Sequence, residues 1–115
     1  MPHMTKYKRG DIVLVDFGFA EGTGSKKRPT LIISNDNYHK GRQEVIVVAI
    51  TGNIKRVLSG DTKIDKWKEA GLIYPSLVTG IIRTIKDSMI IHRLGTLLQQ
   101  DFQKVQKNLG KAMGF

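Results

Sequence analysis

Apolar residues along most of this chain fall in short, dense blocks separated by polar, glycine-containing stretches, the pattern of strands joined by turns. Residues 11–17 (DIVLVDF) form a β-branched run opened by Gly10 and closed by Gly18. Residues 30–34 (TLIIS) are apolar on both faces and follow Pro29, a residue tolerated where a strand starts but not inside a ladder. The densest block is 44–51 (EVIVVAIT), nearly continuous Val and Ile, which predicts a strand buried on both sides. Residues 76–85 (SLVTGIIRTI) predict another, with Gly80 marking a bulge or sharp bend where a sheet curls. A fifth strand, 89–94 (MIIHRL), ends at Gly95.

Helical periodicity is scarce. From Gln100 onward, Phe102, Val105, Leu109 and Met113 recur at three- or four-residue steps, which predicts an amphipathic helix. Lys104, Lys107 and Lys111 fall on its polar side and suit the negative end of its dipole. Residues 64–70 (IDKWKEA) predict about two further helical turns, stopped by Gly71, with Trp67 pinning them to the sheet. Residues 18–27 (GFAEGTGSKK) and 52–63 (GNIKRVLSGDTK) read as long loops between strands. Many short strands bent at glycines predict a mostly β fold: a small, curled antiparallel barrel with a C-terminal α-helix and one short helix.

Composition narrows the class. At 115 residues, residues 1–115 form a single domain with one modest core, and 40% apolar with 25% charged residues suits a soluble globular chain. No apolar run approaches the roughly 20 residues that cross a bilayer, so no membrane association and a cytoplasmic location are expected. The absence of cysteine excludes disulfides and a thiolate nucleophile, and His3, His39 and His92 show no metal-ligand spacing. No metal site and no cofactor are therefore expected. Met1-Pro2-His3-Met4 resembles a vector-derived leader, so residues 1–3 are set aside.

The charge changes the picture more. Nineteen Lys and Arg against ten Asp and Glu give a net +9, which suits a polyanionic partner such as RNA or DNA. No phosphate loop, Ser-His-Asp ordering, HExxH motif or paired carboxylates of a two-metal nuclease is present. RNA can still be cut without metal, because its 2′-hydroxyl can attack the neighbouring phosphate to leave a 2′,3′-cyclic phosphate and a 5′-hydroxyl. The protein must then hold the phosphate in line and neutralise charge on its equatorial oxygens. The planar fork of arginine suits that task.

Lys26-Lys27-Arg28-Pro29 offers three cations at the end of a glycine-rich loop, with a solvated basic turn as the plain alternative. Thr51 ends an apolar strand with a hydroxyl, either for a ligand or to cap the strand's last backbone group. Lys55 and Arg56 can contact phosphates and Asn53 a base edge; Ser76, after Pro75, is either a turn or strand-start residue or an RNA contact, and His39, in the polar run NDNYHKGR, reads as a surface residue.

GDIVLVDF, the glycine-rich loop, KRPTLIISND and VIVVAIT together resemble the N-terminal half of the MazF/PemK family of toxin endoribonucleases, and GLIYPSLV, IRTI and RLGTL match its second half more loosely. The resemblance implies an SH3-like barrel that forms a homodimer and cleaves single-stranded RNA without metal, as the toxin of a type II toxin–antitoxin system. It places the catalytic arginine at Arg28 and the catalytic hydroxyl at Thr51, with RNA running beside the loop before the arginine. It also implies a small acidic antitoxin as partner. Several family members carry an acidic residue about five positions before the arginine; here that position is Thr23, so either Glu21 takes the orienting role or the arginine is oriented differently. Two other readings remain: a non-catalytic basic barrel that binds nucleic acid, and a toxin acting on a protein target such as gyrase.

Overall fold

The computed structural model of the protein describes residues 5–17 and 26–115. Among these, six strands form one antiparallel sheet: β1 (Asp11–Asp16), β2 (Lys27–Ile32), β3 (Glu44–Thr51), β4 (Thr62–Lys63), β5 (Leu77–Lys86) and β6 (Ile90–Thr96). A one-turn helix, α1 (Asp36–His39), joins β2 to β3, a 3-10 turn (Asp87–Met89) joins β5 to β6, and α2 (Gln99–Met113) follows β6. The strand order is β4-β5-β3-β2-β1-β6. All five predicted strand blocks and the amphipathic helix are present; β4, two residues long, carries no sequence signal.

The strands read as continuous apolar runs because the curled sheet packs on both faces. Alternation sends Ile12, Leu31, Val48 and Ile50 to one side, where Val105 and Leu109 of α2 cover them together with Ile64 and Leu72. Val13, Val15, Ile32, Val45 and Val47 point the other way and meet Tyr7, Ile85 and Ile90. Each fully buried aliphatic side chain contributes on the order of 1.5–3 kcal/mol, so both clusters hold the fold. Met113 lies outside the first cluster and is exposed, so the apolar stripe of α2 ends a turn earlier than its sequence suggests.

Register shifts produce the curl. Val48 pairs with Ile82 but Ile50 with Val78, so β5 bulges around Gly80 where the sequence placed a bend. Two more shifts occur between β1 and β6. The sheet does not close through hydrogen bonds: β4 and β6 remain its edges. The segment after β4 instead lies backbone to backbone on β6, where a Cβ on Gly95 would collide with the Ala70 carbonyl and one on Gly71 with the Leu94 carbonyl. Only glycine permits that seam.

The segment at 64–70 is not the helix its composition suggests. Ala70, Gly71 and Leu72 donate backbone bonds to Lys66, Lys68 and Trp67, a different spacing each time, which gives a wound turn. Its start is held from α2, where the buried Asp101 carboxylate accepts from Asp65 N (3.2 Å) and Lys66 N (2.9 Å). Trp67 packs against the first cluster as expected. Tertiary packing, not local propensity, shapes the segment.

Candidate functional site

The antiparallel β2–β3 pair carries the two principal sequence candidates to the same end of the sheet. Thr30 pairs with Ala49, Leu31 with Val48 and Ile32 with Val47. The paired residues end at Thr30 and Ala49; Arg28 and Thr51 lie two residues beyond them, each at the end of its strand. Strand alternation from the paired Ile32 and Val47 assigns both residues to the same face of the sheet. Arg28 also pairs with Val15 of β1, which fixes its backbone from the other side.

Pro29 sets the character of this end. The Ile33 N–H donates to Ile46 O (2.9 Å), so every second residue back along β2 directs its N–H toward β3. Position 29 is one of these, and proline has no N–H to give. The ladder therefore stops beside Ile50, and the last residues of β2 and β3 form an open rim where side chains rather than backbone bonds meet a ligand. Proline lies inside β2, which starts at Lys27, and is tolerated there because the β2–β3 ladder has ended.

Thr51 is half-buried, and its Oγ1 accepts from Asn53 N (3.2 Å). Asn53 Oδ1 in turn accepts from Lys55 N (3.3 Å). These two side-chain turns carry the loop away from the strand. The cap on Thr51 uses one lone pair; a hydroxyl keeps its O–H and a second lone pair for a ligand. Lys26, Lys27 and Arg28 are exposed where β2 begins, and Asn53, Lys55 and Arg56 are exposed where β3 has ended, at the same end of the sheet. Their cations make this rim a site for a polyanion.

A cavity of about 290 Å³ opens beside the pair, lined by Leu14, Pro29, Ile50 and Tyr74 among others. Ser76 lines it too, but it is 3% exposed and its hydroxyl donates to Tyr74 O (2.8 Å), so it closes a turn. Glu21 and Thr23 lie outside the described residues. Arg83, which the sequence reading did not select, stands opposite Val47 and so shares the face of Arg28 and Thr51; its guanidinium lies over the Phe17 ring at 5.1 Å. Its place inside IRTI was the available signal.

His39 does not sit on the surface. It is 3% exposed, with Nε2 at 2.6 Å from Ser34 Oγ, which also accepts from Ile46 N (2.9 Å). Burial pushes its pKa below the ordinary 6.5, against the smaller raising effects of Asp36 and Asp87. Ending α1 against the sheet, it staples the far end of the β2–β3 pair.

Comparisons with known proteins give the family and the fold. Residues 8–113 match the model of the PemK-like, MazF-like toxins of type II toxin–antitoxin systems. The endoribonuclease MazF of Staphylococcus saprophyticus is 28% identical over 109 residues, 93% of this chain and 91% of that protein. Among solved structures, a MazE–MazF crystal structure from Deinococcus radiodurans superposes with a TM-score of 0.80 at 17% identity, covering 96% of this chain and 98% of the other. A mycobacterial endoribonuclease in complex with its cognate antitoxin gives 0.75 at 21% identity, covering 95% and 96%. No described helix is long and apolar enough to cross a membrane.

Proposed function

The chain belongs to the PemK-like, MazF-like toxins of type II toxin–antitoxin systems, and from that premise we propose that it is a metal-independent endoribonuclease acting on single-stranded RNA. The observation that supports this reading is that the antiparallel β2–β3 pair carries Arg28 and Thr51 to the same open, basic end of the sheet. A phosphodiester between them receives the guanidinium on its equatorial oxygens and the threonine hydroxyl on a phosphate oxygen or the leaving oxygen. The RNA 2′-oxygen then bonds to phosphorus while the bond from phosphorus to the 5′-oxygen breaks. The products are a 2′,3′-cyclic phosphate and a 5′-hydroxyl, with the 2′-proton lost and one proton gained by the leaving oxygen. Arg28 stabilises charge and Thr51 orients; neither takes the 2′-proton.

Lys26, Lys27, Lys55 and Arg56 guide the strand by its phosphates, and Asn53 meets a base edge. Ser76, whose hydroxyl is already engaged by Tyr74, serves the site by shaping the turn rather than by contacting the RNA backbone. The protein works in the cytoplasm as a homodimer; exposed Ile81, Ile82 and Ile91 supply apolar surface of the kind a self-interface buries. An acidic antitoxin segment competes for the same cations, so one rim serves substrate and inhibitor. The test is single-turnover cleavage of a long RNA with EDTA present, followed by mapping of 5′ ends. Cleavage at a recurring sequence, lost in Arg28→Ala, is expected. Intact RNA, or full activity in Arg28→Ala, overturns the assignment.

A further inference from the structure

The cavity beside the rim is built from the immediate neighbours of the proposed catalytic pair. Lys27 and Gly52, each one residue from Arg28 or Thr51, both line it. They belong to the opposite face of the same two strand ends, so a ligand held by the pair enters the cavity by wrapping over the rim. Leu14, Pro29 and Ile50 make an apolar floor. The Tyr74 ring, half exposed, makes the wall: a Cβ on Gly52 would come within 2.7 Å of it, so the ring rests on the backbone of the residue after Thr51. The Ser76 hydroxyl, bonded to Tyr74 O, holds that ring's backbone in place.

We propose that this cavity is a nucleobase subsite, in which one base next to the cleaved phosphate stacks on Tyr74 and helps select the RNA sequence that is cut. The proposal rests on the ribonuclease reading above. A volume of about 290 Å³ lies at the bottom of the range of roughly 300–1,000 Å³ for small-ligand pockets, enough for one flat heterocycle and too little for a stretch of chain. An apolar floor with an aromatic wall suits the π-face of a base, and recognition of unpaired RNA relies on such stacking. Lys27 at the lip and Arg28 beside it favour an occupant that carries a phosphate next to its ring.

The test uses a noncleavable RNA with a 2′-deoxyribose at its mapped cleavage site, and copies of it with one abasic position each. Removing the base that occupies the subsite should weaken binding to the wild-type protein about fivefold to hundredfold. Tyr74→Ala should weaken binding of the intact RNA by a similar factor, and the abasic copy should then bind no worse. Tyr74→Leu, which keeps apolar packing against Gly52 but removes the π-face, should behave like Tyr74→Ala, and Tyr74→Phe like the wild type. Penalties that multiply independently at every position overturn the subsite, as does unchanged RNA binding alongside weakened antitoxin binding. If the wild type cleaves with Arg28 dependence while Tyr74→Ala keeps the same cleavage sites, the subsite fails and the ribonuclease reading stands. RNA left intact by the wild type removes both.

Discussion

The two ends of the β2–β3 pair handle hydroxyl groups in opposite ways. At one end Ser34 is buried, accepts from Ile46 N and contacts His39 Nε2 at 2.6 Å, so it spends its bonding capacity inside the protein. At the other end Thr51 is half-buried, accepts a single local N–H from Asn53 and faces a strand end where Pro29 has stopped the ladder. A satisfied buried hydroxyl stabilises; a partly used one at an exposed strand end keeps bonding capacity for a ligand. The same two strands thus supply a closed end that fixes register and an open end whose geometry depends on that register.

If the contrast is right, substitutions at the open end cut activity and spare stability, and those at the closed end do the reverse. Arg28→Ala should lower the single-turnover cleavage rate roughly 10²–10³-fold with an unchanged melting temperature. Thr51→Val should lower it about tenfold to hundredfold, the effect of one hydrogen bond to a charged group, while Thr51→Ser keeps most activity. Loss of folding in either variant would erase the distinction between the ends.

At the closed end, Ser34→Ala strands Ile46 N and His39 Nε2 and should destabilise by about 1–3 kcal/mol in urea titrations, with the rate per folded molecule unchanged. His39 adds a pH signature. Its folded-state pKa is lowered, so the unfolded chain binds a proton more readily once pH falls through 6.5. Stability should be complete above that value, decline as pH drops below it, and level off only beneath the folded-state pKa. Urea midpoints on both sides of 6.5 should show the slope in the wild type and its loss in His39→Gln. The smallest effect belongs to the loop cations: Arg56→Ala should reduce the slope of log K against log salt for single-stranded RNA by about 0.7, with little change in cleavage rate at saturating RNA.

Much of this was legible in the linear chain, because strand and helix periodicity are local properties. The Val/Ile runs at 11–17 and 44–51, the glycine bend at Gly80 and the α2 stripe all express which residues must leave water. Arg28 and Thr51 were visible as residue types at the ends of apolar blocks. Their placement at one end of the sheet was not, since it depends on the pairing of strands that another helix and turn separate. His39 illustrates the same limit: its flanking residues are polar, yet α1 folds it beneath the sheet against Ser34. The turn at 64–70 follows Asp101, far along the chain, and not its own helical composition. Tyr74 acquires meaning only where its ring rests on Gly52. Sequence alone determined which segments are strands, which stretch is helix and how strongly basic the surface is. Tertiary structure decided which polar groups face one another and which are sealed away, because register, bulges and seams are long-range events that no window of neighbouring residues encodes.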